Sequence, residues 1–292
     1  MEYLLGDRIK DLREHLKMSQ RALCKDICTQ GLISRIENNT AIPTAPLLHQ
    51  IAIKLGVDSN YFFDDISSHG YNYVKEVMNT IDKHIGNCEY QEVMNIVKQE
   101  KVNPLFNKRH LQQYLYWREG ICTYYLHKDR EKALELLNKS LYMGTLQNQY
   151  TETEIDILAS QAIIYSLSGD LEHAAEIYKS LLRNVDSLLF VRDKRLVIRI
   201  LYNASVNSYE RKEYEEALKY IDKAYNTCIE EDQLYLFGHI LFQKGCALFR
   251  YDPSKRDTCI ELLKEALWIY ELKPVPEFIA YLKEEMKIMT KS

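Results

Sequence analysis

Residues 18–43 read MSQRALCKDICTQGLISRIENNTAIP, and they decide how the amino end of this 292-residue chain folds. A Ser-Gln pair (Ser19, Gln20) stands at the start of one short helical run and a Thr-Gln pair (Thr29, Gln30) at the start of the next, which is the spacing of a helix-turn-helix. Leu23, Ile27, Leu32, Ile33 and Ile36 recur at helical intervals and are expected to face inward. Gln20, Arg21, Gln30, Gly31, Ser34, Arg35 and Asn38 are left outside, so the second helix shows water a short polar face of the kind that enters a major groove.

Ser19-Gln20, Gln30, the run Ser34-Arg35-Ile36-Glu37-Asn38 and the later Pro43 resemble the Cro/repressor type of DNA-binding domain. Two positions depart from that pattern. Cys24 and Cys28 stand where the family has a small Ala and a closing Gly, and a positive φ at Cys28 would cost on the order of 1 kcal/mol. Asn39 replaces the Gly after the second helix and is the substitute best suited to the left-handed conformation. With Thr29 at the helix start, the candidate DNA-contacting set is Gln20, Arg21, Thr29, Gln30, Gly31, Ser34, Arg35 and Asn38. Gln30 is placed for adenine or phosphate and Arg35 for phosphate or guanine, with Ser34 and Gln20 on the DNA backbone. The alternative for Arg35 is an ion pair with Glu37 or another nearby acid.

The charge distribution agrees with this placement. The whole chain carries a net charge of −4, yet Arg8 to Lys54 holds eight basic residues against four acidic ones. So modest a surplus makes one copy a weak, salt-sensitive binder, and a dimer that doubles the phosphate contacts is expected. With 46% apolar residues the length suits two domains, each with its own core. The start MEYLLGDRIK lacks the pattern of a signal peptide, and no window has the length and apolarity of a membrane span, so a cytoplasmic protein is expected. Seven cysteines without a CxxC pair read as buried thiols, with Cys24 and Cys28 explained by small-residue packing better than by a thiol switch.

Beyond Tyr71 strand signals are absent and a repeat emerges. Tyr90-Gln-Glu-Val93, Arg130-Glu-Lys-Ala133, Leu171-Glu-His-Ala174, Tyr214-Glu-Glu-Ala217 and Arg256-Asp-Thr-Cys259 each open a helix with a small or β-branched residue at the fourth place. They recur at intervals of about 42 residues, and turns such as Ser168-Gly169-Asp170 precede them. Trp117, Gly120 and Tyr124 before Ala133, Ala162 and Tyr165 before Ala174, Ala204 before Ala217, and Gly245 before Cys259 complete a tetratricopeptide-like pattern. The expected architecture is all-α: a Cro-like helix-turn-helix domain (1–66), a linker and first repeat helix (67–86), and five degenerate repeats forming a right-handed superhelix over 71–292. A short helix at Ser59–Phe63 ends the first domain, Ser67-Ser68-His69-Gly70 is the break, and a terminal helix over Pro276–Lys291 seals the stack.

In such repeats the first helix of each hairpin lines the concave side. Counting from the small residues places Arg118 and Cys122, then Asp156, Ala159 and Ile163, then Arg199, Tyr202, Asn203 and Val206, then His239, Phe242, Gln243 and Cys246 on the inner wall. Asn203 and Gln243 fall at equivalent places, where an amide can donate to and accept from a bound peptide backbone, or instead satisfy neighbouring helix backbones or water. Aromatic residues number 32, and most must be packing; Tyr202 and Phe242 are the candidates for holding apolar peptide side chains. No phosphate loop, GxGxxG, HExxH or nucleophile elbow is present, and the eight histidines lack ligand spacing, so neither an enzyme nor a cofactor or metal site is expected.

Over essentially the whole chain this combination resembles the PlcR type of peptide-pheromone-sensing regulators of Gram-positive bacteria, most visibly in ICTQGLISRIENN, the Trp117 repeat, LYNASVNSYERKEYEEAL and FQKG. The resemblance implies a homodimeric quorum-sensing transcription factor without membrane association. It would bind a palindromic double-stranded operator under the control of a short signalling peptide on the concave face. Asn203, His239 and Gln243 match peptide-contact positions of that family, and Arg199, Tyr202 and Phe242 complete the candidate peptide set. Gly86 and Cys88 stand where that type carries lysines, which implies a less acidic or differently anchored peptide. The implied mechanism is a population shift passed from the repeats through the segment near Tyr71 to the paired heads. The alternatives are a regulator sensing a protein or small molecule, and a repeat scaffold; residues 18–43 argue against the scaffold.

Overall fold

The computed structural model describes residues 5–62, 69–144, 150–187, 193–272 and 276–291. Every regular element among the described residues is helical, and the chain divides into two compact units between Lys83 and His84.

The first unit holds α1 (Leu5–His15), α2 (Gln20–Cys24), α3 (Gln30–Glu37), α4 (Ala45–Leu55) and a 3-10 turn at Ser59–Phe62. The two hydroxyls do what their positions suggest: Ser19 Oγ accepts from Ala22 N at 3.1 Å and Thr29 Oγ1 from Leu32 N at 3.3 Å, each cap contributing about 1 kcal/mol. Ile9, Leu23, Ile33, Ile36, Ile51 and Phe62 form the core, with Leu32 packed at its edge; Ile27 is half-buried. Gly6 is required where α1 meets the end of α3, since a Cβ there would lie 2.0 Å from the Ile36 carbonyl oxygen. Asn39 takes the left-handed conformation (φ 55°), and its side chain accepts from Gly6 N at 2.9 Å and donates to Asp7 Oδ1 at 3.0 Å. The positive φ between α2 and α3 falls on Asp26 (63°), not on Cys28. The short polar side chain of Asp tolerates that conformation, and Cys28 is free of the strain considered for it.

Helix α5 (His69–Gly86) crosses the division between the units. It begins at His69, so His69 and Gly70 belong to the helix and not to the break, while Ser67 and Ser68 lie outside the described residues. The second unit continues with α6 (Tyr90–Glu100), α7 (Arg109–His127), α8 (Arg130–Tyr142), α9 (Glu152–Leu167) and α10 (Leu171–Ser187). It ends with α11 (Lys194–Glu210), α12 (Tyr214–Glu230), α13 (Phe237–Tyr251), α14 (Arg256–Leu272) and α15 (Pro276–Lys291). All five repeat openings read from the sequence are helix starts: Tyr90, Arg130, Leu171, Tyr214 and Arg256.

Helices α7/α8, α9/α10, α11/α12 and α13/α14 pack as hairpins. Ala133, Ala174, Ala217 and Cys259 are fully buried at the crossings, where a larger side chain would force the helices apart. Gly245 shows the constraint most sharply, a Cβ there lying 2.3 Å from Leu263 Cδ1. Polar struts join neighbouring hairpins: Trp117 Nε1 donates to Ser160 Oγ at 2.9 Å, and Asn207 Nδ2 donates to Ser166 Oγ at 2.7 Å and to the Leu171 carbonyl at 3.2 Å. Helices α7, α9, α11, α13 and α15 each touch the next in that series. This closer spacing puts the first helices on the inner side of the array. Leu282 and Met289 bury one face of α15 against the last hairpin, closing the stack.

Candidate nucleic-acid interface and candidate ligand groove

In the first unit the outward face of α3 is built on a buried ion pair. Arg13 and Glu37 are 8% and 2% exposed, and Arg13 donates from Nε to Glu37 Oε1 at 2.6 Å and from Nη2 to Oε2 at 2.9 Å. That hydrogen bonding holds the Arg13 guanidinium above its ordinary pKa. Glu37 Oε2 also accepts from Gln20 Nε2 at 2.8 Å, which fixes the Gln20 amide so that its oxygen accepts from Gln30 Nε2 at 3.4 Å. A chain of side chains therefore runs from the interior, Arg13 to Glu37 to Gln20 to Gln30, and sets the amide at the start of α3. Arg21, Thr29, Gln30, Gly31, Arg35 and Asn38 are exposed, and Ser34 and Gln20 half-buried. Nothing lies within 4 Å of a Cβ placed on Gly31, so the first turn of α3 leaves room for another molecule to approach its backbone. Glu37, the acid considered as a partner for Arg35, is occupied by Arg13 and Gln20.

On the inner side of the repeats the candidate residues fall into three settings. Arg118, Ala159, Ile163 and Arg199 line one cavity of about 150 Å³, together with Tyr90, Trp117 and Tyr125. The Tyr90 and Tyr125 rings stack 4.2 Å apart and 4° from parallel, while the Arg118 guanidinium lies over Trp117 at 3.6 Å from the ring centroid. Arg199 pairs with Asp156.

Tyr202, His239 and Phe242 sit in a second setting, an aromatic cluster closed by α15. His239 lies 4.9 Å from Phe278, 5.2 Å from Tyr270 and 5.9 Å from Tyr202 between ring centroids, and Phe242 lies 5.2 Å from Phe278. Burial lowers the His239 pKa below its ordinary value and pushes the Tyr202 phenol up to about 12, so both are neutral near pH 7.

The amides form the third setting. Asn203 is half-buried and donates to the Arg199 carbonyl one turn back at 2.8 Å. Gln243 is only 6% exposed and donates to Ser205 O and Oγ, both at 3.4 Å, as a strut between hairpins. Cys122 and Cys246, also placed on the inner wall by counting, are buried, and burial raises the Cys122 thiol to about 12. Val206 is half-buried. A broader open groove of about 720 Å³ lies between α10 and α12, on the row of second helices, lined by Lys179, Arg183 and Lys223. It is the larger space, but the inner cavity is where aromatic and charged side chains from several helices converge.

Counting along the sequence did not reveal the Arg13–Glu37 pair, because both residues look like ordinary surface charge. It also left out Tyr90, Trp117 and Tyr125, since aromatics at repeat positions read as packing; Arg118 beside Trp117 was the available signal. Among the described residues no group of three His, Cys, Asp or Glu side chains is arranged to hold a metal, and no helix is long and apolar enough to cross a membrane. Burial pushes the Cys28 thiol up, which opposes formation of a reactive thiolate there.

The RNPP family C-terminal domain matches residues 78–286, and a helix-turn-helix domain matches residues 6–67. No curated protein matches the chain in sequence. Among solved structures the chain is similar to Bacillus thuringiensis PlcR in complex with the peptide PapR7 and DNA (TM-score 0.79, 22% identity, 99% of each chain covered). It is also similar to ComR from S. thermophilus in complex with DNA and its signalling peptide ComS (TM-score 0.67, 15% identity, 98% of this chain and 99% of that one). A third is the SHP pheromone receptor Rgg2 of Streptococcus dysgalactiae (TM-score 0.62, 14% identity, 97% and 98%).

Proposed function

The chain belongs to the RNPP family, and from that premise we propose that it is a quorum-sensing transcription regulator that binds a palindromic operator as a homodimer under the control of a short signalling peptide. Residues 1–66 form the DNA-reading head, 67–86 the linker and first repeat helix, and 71–292 the peptide-sensing repeats. The observation that carries the reading is the outward polar face of α3, whose Gln30 is positioned by Gln20, Glu37 and Arg13 on a fold that also supplies an inner repeat wall. A preorganised amide suits base-edge recognition, since little side-chain ordering is left to occur on binding.

Gln30 and Arg35 read bases or phosphate, with Thr29, Gly31, Ser34, Asn38, Gln20 and Arg21 seating the helix on the duplex. The peptide lies along the inner wall against Arg199, Tyr202 and Asn203, and reaches His239 and Phe242 toward the last hairpin, where Gln243 serves as the buried joint beneath them. Occupation of that wall selects one curvature of the repeats, and the segment through α5 passes the choice to the heads. The protein thus acts by binding and not by catalysis. The two faces are tested separately. Arg35→Ala or Gln30→Ala is expected to weaken operator binding at least tenfold in fluorescence anisotropy while peptide affinity in calorimetry is unchanged, and Asn203→Ala to do the reverse. Loss of both activities in every variant, or of neither, would overturn the assignment of faces.

A further inference from the structure

We propose that the 150 Å³ cavity among α6, α7, α9 and α11 is a subsite for one apolar side chain accompanied by a carboxylate; this rests on the reading of the repeats as a peptide receptor. Size sets the first half of the inference. Pockets for whole small ligands run to about 300–1,000 Å³, so this cavity suits one leucine- or phenylalanine-sized group. Its floor and walls are Trp117, Ile163, Tyr90 and Tyr125, all offering apolar surface, and the Trp117 indole N–H is already satisfied by Ser160. An apolar group can therefore enter without leaving that polar atom unpaired.

Charge sets the second half. Two guanidinium groups, Arg118 and Arg199, line the same small cavity. Arg118 lies over Trp117, 3.6 Å from its ring centroid, and Arg199 is paired with Asp156, a partner that a ligand carboxylate can replace like for like. A terminal carboxylate on the inserted residue and an acidic side chain on the next residue offer the same group to these arginines. Asp156 competes with either of them, so its removal should favour the ligand.

The chain has two tryptophans, and Trp268 is 61% exposed, so in a Trp268→Phe background Trp117 alone reports on the cavity. N-acetyl-L-leucine, N-acetyl-L-leucinamide and N-acetyl-Leu-Asp-amide are titrated against its emission. The expected result is a saturable change with one or both acids and at least tenfold weaker binding of leucinamide. Response to acetyl-leucine alone assigns a terminal carboxylate, and response to the dipeptide alone assigns an acidic side chain. Arg118→Met or Arg199→Met should erase the preference for acid, Asp156→Asn should strengthen it, and Ile163→Phe, which fills the space, should abolish binding with little change in Tm. No saturable response up to the solubility limit, or equal response to acid and amide, overturns the proposal. If the cavity is silent while culture-derived oligopeptides still change DNA affinity, only the subsite falls. If acetyl-leucine binds while no oligopeptide changes DNA affinity, the subsite stands and the receptor reading falls.

Discussion

Two glutamines show how differently the two halves of the molecule use the same side chain. Gln30 is exposed at the start of α3, aimed outward by a relay that begins at a buried ion pair. Gln243, on an inner-row helix, is 6% exposed and donates to Ser205 across a hairpin joint. Helical spacing places both on a candidate binding face. What lies one layer beneath decides between them: an anchored partner that turns the amide toward solvent, or a neighbouring helix that takes its hydrogen bond. The first unit therefore exposes an amide over an anchored support, whereas in the repeats Gln243 goes into stacking and aromatic rings and arginines line the inner cavity.

The strongest test of that contrast removes the support of the head. Glu37→Gln leaves buried Arg13 with only the exposed Glu14, 3.2 Å away, as counter-ion, and is expected to destabilise the head by about 3 kcal/mol in denaturant unfolding while the repeats unfold as before. An unchanged midpoint would mean the ion pair does not carry the relay.

A smaller effect separates the two amides. Gln243→Ala should cost the repeats about 1–2 kcal/mol by leaving the Ser205 joint without its strut. Gln30→Ala, at an exposed position, should leave thermal stability within about 0.5 kcal/mol of wild type. Equal losses would erase the distinction between joint and surface.

The smallest expected effect is pH dependence in the aromatic cluster. Burial lowers the His239 pKa, so the unfolded chain binds its proton more readily than the folded one does. Its contribution to stability is constant above the unfolded value of about 6.5 and falls as pH drops below it toward the folded value. His239→Phe, compared with wild type by thermal melts between pH 7.5 and about pH 5, should show a shallower decline. Parallel curves would place His239 outside the buried cluster.

Much of this was legible in the residues themselves. The five helix starts were readable because each repeat couples a turn to a small or β-branched side chain at the fourth place, and all five of these side chains, Val93, Ala133, Ala174, Ala217 and Cys259, are fully buried. Ser19 and Thr29 were readable because capping is local. Partners distant in sequence were not: Arg13 and Glu37 are 24 residues apart, and the cavity gathers side chains from Ile85 to Arg199. The left-handed residue between α2 and α3 is Asp26, two positions before Cys28, where family spacing raised the question of a positive φ.

On the proposed function the head grips a duplex and the repeats govern that grip. Anisotropy of labelled operator fragments, obtained by selection from a random duplex pool and titrated with the full-length protein, tests it most directly when repeated with oligopeptides fractionated from culture medium. Saturable binding to a two-half-site palindrome, with an affinity that changes at least tenfold with one peptide fraction, is the expected result. Failure to bind any duplex, with and without every fraction, would contradict it.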